Sequence, residues 1–153
     1  MLNVISQYSD YIVLVLCVLG LLLAVALVCG IKKVGVKSER MKQIAGYIKN
    51  GAMAYLFRQY TVLLIFLAVM FLILGFIPAL GWGLAFAFLF GAVLSVAAGY
   101  LGMRTAVISN VRTASAASEG LGAAFKVAFS GGAVMGILVV CLGAFGISII
   151  SLI

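Results

Sequence analysis

The side chains that could do chemistry in this 153-residue chain are few: no histidine, three carboxylates and three cysteines. Magnesium acting on a phosphate needs several oxygen ligands converging on one point. Only Asp10, Glu39 and Glu119 could supply carboxylates, and they are spread along the chain. Cys17, Cys29 and Cys141 sit inside apolar runs without a CxxC spacing, so they read as buried, inert thiols. Gly120-Leu121-Gly122 resembles part of a phosphate-binding loop, but no Gly-Lys-Ser/Thr follows it. A helix–helix turn is the better reading. No nucleophile–base pair or catalytic metal centre can be assembled from these residues.

The elements that would have to position such groups are membrane helices. The chain is 67% hydrophobic and 8% charged, whereas a soluble domain is about half apolar and a quarter charged. Its mean hydropathy is +1.37. Too few charges remain to coat a water-facing surface, so an all-α, polytopic integral membrane protein is predicted. Four runs are long enough to cross about 30 Å of hydrocarbon: residues 11–31, 61–77, 84–103 and 127–153. Pro78, the single proline, closes the second run. Alternating segments of the kind that build a β-barrel are not seen. The first run lacks a preceding lysine or arginine and a cleavage motif, so it is expected to stay as an anchor.

Ten lysines and arginines face three acids, a net charge of +7. Seven lie between the first two runs (Lys32, Lys33, Lys37, Arg40, Lys42, Lys49 and Arg58) and three between the last two (Arg104, Arg112 and Lys126). The positive-inside rule then puts both basic connections in the cytoplasm and both ends of the chain outside. That pattern accounts for the charge without nucleic acid as a partner. The runs themselves contain no ionisable group at mid-depth, the usual mark of an ion pathway. Arg58, Arg104, Arg112 and Lys126 are membrane-interface charges that can snorkel to the headgroups. Helical extensions are predicted over residues 38–60, capped by Ser38 with Glu39 in the first turn, and over 104–118, with Gly120 as the C′ residue.

Small residues recur every four positions. Ala87, Gly91, Ser95 and Gly99 do so on the third run, and Ala128, Gly132 and Gly136 on the fourth. Such stripes let helices approach closely where lipid removes the hydrophobic drive. They predict tight packing at Gly91, Ser95, Gly99, Gly132 and Gly136, so that a leucine at Gly132 would hold two backbones apart.

Several fragments, taken in order, resemble the membrane-integral pyrophosphatases. Glu39-Arg40-Met41-Lys42, Tyr47-Ile48-Lys49-Asn50-Gly51-Ala52 and Ala54-Tyr55-Leu56 are similar to the start of that family's second helix. Gly91-Ala92-Val93-Leu94-Ser95, Ala98-Gly99-Tyr100-Leu101-Gly102-Met103 and Asn110-Val111-Arg112-Thr113-Ala114 resemble its third. Ala124-Phe125-Lys126-Val127-Ala128-Phe129 and Gly131-Gly132-Ala133-Val134-Met135-Gly136 resemble the opening of its fourth. The match runs from about Glu39 to Gly136, and the first span agrees only in hydrophobicity and position.

The resemblance implies homodimers whose subunits carry about sixteen helices in two concentric rings. It implies hydrolysis of inorganic pyrophosphate at a cytoplasmic magnesium site, in some members with potassium, driving protons or sodium ions outward. In that family the catalytic and gating residues lie beyond the fourth helix, so none is carried over to this chain. An N-terminal outer-ring segment is therefore expected, embedded in a prokaryotic inner membrane and inactive alone. It would meet pyrophosphate only through the missing helices. The competing expectation is a free-standing four-helix membrane scaffold that binds partner subunits. A small multidrug-type transporter is disfavoured because no carboxylate is embedded in a span.

Overall fold

The computed structural model describes the backbone of residues 2–77 and 81–152, and side chains from residue 9 onward within those ranges. Pro78 therefore lies outside the described residues. Four long helices follow one another: α1 (Leu2–Lys33), α2 (Glu39–Phe76), α3 (Gly81–Ala117) and α4 (Leu121–Leu152). All four are long and apolar enough to cross a membrane. Each outruns its apolar core. α2 has 38 residues and α3 has 37, about 55 Å at 1.5 Å per residue, against about 30 Å of hydrocarbon. α2 passes unbroken from Glu39 through Arg58 to Phe76, and α3 from Gly81 through Arg104 to Ala117.

The helices alternate in direction. Ser151 Oγ donates to Asp10 Oδ2 at 3.0 Å, joining the end of α4 to the early part of α1. Lys37 and Glu119 pair at 2.6 Å, joining the two basic connections. The lysines and arginines lie on the side of the bundle toward these connections, with Arg58 midway along α2; that end is the basic end and the other the apolar end. α4 packs against both α1 and α3, while α2 packs on the outer side of α3. The core follows from that order: Ala24 and Ile31 of α1, Ala116 of α3, and Val127, Val134 and Leu138 of α4 form its buried cluster. α2 buries only Leu56, Leu67 and Gly75. Much of the large apolar surface stays exposed, as helices facing lipid or further helices require.

Two terminus expectations are corrected. Ser38 does occupy the N-cap of α2 with extended backbone, but its side chain makes no capping hydrogen bond. Instead the Ser38 carbonyl accepts from Lys42 N at 3.2 Å, and the Lys42 ammonium lies 2.6 Å from Glu39 Oε1. α3 stops at Ala117, three residues before Gly120. Gly120 belongs to the start of α4: its carbonyl accepts from Ala124 N at 3.2 Å. Its φ of +128° is open only to glycine at low cost, which is why the chain can reverse in three residues.

Candidate functional site

The two basic connections are built into one structure by α3. Ser115, 1% exposed, sits in the last turn of α3 beneath the α1–α2 connection. Its hydroxyl donates to Gly35 O at 3.0 Å and accepts from Lys37 N at 3.2 Å. Residues 35–38 lie between helices, and Gly35 O and Lys37 N have no helical partner, so one serine supplies both a donor and an acceptor. The Lys37–Glu119 pair spans the same junction, with both side chains more than half exposed. Its net contribution is therefore small, about 0–1 kcal/mol.

The interface charges separate into two kinds. Arg58, Arg104 and Lys126 are exposed, as snorkelling side chains should be. Arg104 lies over the Tyr100 ring, 5.6 Å from its centroid. Arg112 is half-buried and turns back along its own helix, with Nη1 donating to Ile108 O at 3.0 Å. Its Nε is buried without a partner. The thiols also divide: Cys17 and Cys141 are buried, but Cys29 is exposed, contrary to the sequence reading.

Close helix contact falls on different glycines from those in the stripes. A Cβ at Gly131 would run into the Ser109 side chain, and one at Gly146 would meet Leu94 at 2.8 Å. At Gly102 it would meet Met135 at 3.1 Å, and at Gly20 it would strike Cys141 Sγ. By contrast, nothing lies within 4 Å of a Cβ at Gly91, Gly132 or Gly136. Among the stripe glycines, Gly99 alone has a near neighbour, the Tyr60 hydroxyl at 3.4 Å, which donates to Val96 O and ties α2 to α3. So Gly91, Gly132 and Gly136 are not contact points between these four helices. The physical reason is angular: a step of one residue turns 100° around a helix, and Gly131, not Gly132, faces α3.

The stripes instead open outward into grooves. Gly91, Ser95 and Gly99 line one of about 410 Å³ between α3 and α4, with Gly143 and Gly146 opposite. Gly132 lines a second, of about 430 Å³, nearer the basic end, with Asn110, Thr113 and Ala128. No group of three His, Cys, Asp or Glu side chains among the described residues is placed to hold a metal ion.

Comparison with known proteins identifies what the ordered fragments belong to. Residues 18–153 match the family described as inorganic H+ pyrophosphatase, so the match extends into the first span and to the end of α4. A K(+)-insensitive pyrophosphate-energized proton pump of Methanosarcina mazei is 48% identical over 111 residues, covering 72% of this chain and 16% of that protein. A Clostridium tetani protein, provisionally named a K(+)-stimulated pyrophosphate-energized sodium pump, is 46% identical over 119 residues, covering 78% of this chain and 17% of its own length. A K(+)-insensitive pyrophosphate-energized proton pump of Streptomyces coelicolor is 39% identical over 153 residues, covering 88% and 19% respectively. The chain thus spans about a fifth or less of the length of these relatives. Four membrane-crossing helices and this family match together make the chain an integral membrane protein of the inorganic H+ pyrophosphatase family.

Proposed function

We propose that the chain forms the N-terminal, outer membrane helices of a pump that hydrolyses inorganic pyrophosphate to export protons or sodium ions, and that it is inactive alone. The observation that carries this reading is the placement of its three carboxylates. Pyrophosphate bears several negative charges, and magnesium can hold it only where several oxygen ligands meet. Asp10 lies at the apolar end, hydrogen-bonded to Ser151. Glu39 and Glu119 lie at the basic end, each 2.6 Å from a lysine ammonium. These residues do not fit a magnesium–pyrophosphate site, and no step of the hydrolysis can be assigned to them. In this reading, magnesium, and potassium where a member needs it, are held by helices outside these residues, in a homodimeric parent.

The contribution of these helices is anchoring and packing. The grooves lined by Gly91, Ser95, Gly99 and Gly132, together with the open face at Gly136, would receive the remaining helices of the subunit. The basic end would face the cytoplasm of a prokaryotic cell across its inner membrane, with both ends of the chain outside. Support for the ion-pump assignment comes from relatives whose names specify proton pumping in two cases and sodium pumping in a third. A phosphate-release assay on the purified chain in liposomes, with magnesium and potassium present, tests the inactive-alone reading. No release above the lipid blank is expected; sustained turnover would overturn it.

A further inference from the structure

A third groove, at the basic end, has a different chemistry from the small-residue grooves between α3 and α4. It runs between α1 and α3, with α4 as its floor, and encloses about 320 Å³. That is at the small end of the roughly 300–1,000 Å³ in which proteins hold ligands. Val25 and Val28 of α1 and Leu101 and Ile108 of α3 form its walls, and Val134 and Leu138 form the floor. Lys32 and Arg104 stand at its charged rim. The polar wall residue Thr105 donates its hydroxyl to Leu101 O at 2.9 Å, so it offers no free donor to a polar guest.

The charge inventory says what belongs at that rim. Of the three carboxylates, Asp10 is at the opposite end, Glu39 holds Lys42 and Glu119 holds Lys37. Lys32 and Arg104 consequently have no carboxylate partner among the described residues. Arg104 is steadied by Tyr100, through the ring and a long 3.5 Å contact to the hydroxyl. From Lys32 to Val25 the groove descends seven residues, about 10 Å, into the apolar span. Two cations above a largely apolar groove match a guest with an anionic head and a hydrocarbon tail.

We infer that this groove binds one anionic phospholipid, its phosphate held between Lys32 and Arg104 and an acyl chain laid between α1 and α3 over α4. A free phosphate would leave the apolar walls unused, and a protein helix would have to bring its own carboxylates to the rim. Basic pockets between membrane helices on the cytoplasmic side recognise lipid headgroups in this way. The inference stands independently of the pump reading, because it needs only the membrane and these side chains.

The test uses the purified chain in micelles containing equal phosphatidylglycerol and phosphatidylcholine, with retained lipid counted by native mass spectrometry. One phosphatidylglycerol per chain should be retained in preference to phosphatidylcholine. Lys32→Gln with Arg104→Gln should lower that occupancy about tenfold or more, while the charge-matched control, Lys33→Gln with Lys49→Gln, should leave it nearly unchanged. Val25 is 62% exposed, so Val25→Trp can occupy the channel without disturbing the core, and it should reduce retention with both charges in place. Equal loss in the two charge variants would overturn the site in favour of diffuse surface attraction. Equal retention of the two lipids, retention indifferent to Val25→Trp, or displacement by millimolar inorganic pyrophosphate would overturn it as well.

Discussion

Replacing Gly131 by alanine is the sharpest test of how α3 and α4 fit together. The new Cβ would lie 2.8 Å from Ser109 Cβ and closer still to its hydroxyl, where carbon atoms normally sit about 3.5–4.0 Å apart. The two backbones must separate by several tenths of an ångström or more. Overpacking of this kind costs about 1–3 kcal/mol. Separation also weakens the buried bond from Ser109 Oγ to Val127 O, 3.3 Å long, worth about 0.6 kcal/mol on average for interhelical hydrogen bonds in a membrane protein. Alanine's better helix propensity returns up to about 1 kcal/mol, so a net loss near 1–3 kcal/mol is expected. Gly132→Ala meets open space and should be neutral or slightly stabilising. Unfolding by SDS in mixed micelles, followed by the single tryptophan, Trp82, measures both. Adding Ser109→Gly should recover part of the Gly131→Ala loss, because it removes the atoms that clash. If Gly131→Ala unfolds like the wild type while Gly132→Ala is the damaging change, the rotational setting of α4 described above is wrong.

Other outcomes follow from the same structure. Ser115→Ala removes the partner of both Gly35 O and Lys37 N; a loss of about 1–3 kcal/mol is expected, with faster hydrogen exchange at the Lys37 amide, and unchanged exchange there would refute the clamp. Glu119→Gln should cost under about 1 kcal/mol, and the difference from wild type should vanish in high salt; a larger, salt-independent loss would show that the carboxylate does more than pair with Lys37. Cysteines placed at Lys42 and Arg112, with Cys17, Cys29 and Cys141 replaced, should be labelled by an impermeant reagent only from the cytoplasmic side, and labelling from outside would reverse the orientation.

The membrane class, the all-helical fold and the family were all legible in the residues, for reasons that need no coordinates. Apolar runs of twenty residues or so have one stable form in lipid, because every backbone polar group must be satisfied within the segment. The ordered fragments from Glu39 to Gly136 carried the family, and its matched range, residues 18–153, is wider than they are. The scarcity of carboxylates could be counted directly. Tertiary structure decided which face of each helix meets which neighbour. A spacing of four shows that a stripe of small residues exists, but not the direction in which it points. Thus Gly132 and Gly136 turned outward, and Gly131, Gly102 and Gly20, which carry no distinguishing pattern, took the close contacts. Nor could local sequence place Ser115 under Gly35, eighty residues away, or bring Lys32 and Arg104 to the rim of one groove. Those pairings arise only when α4 packs between α1 and α3 and draws the two basic connections together.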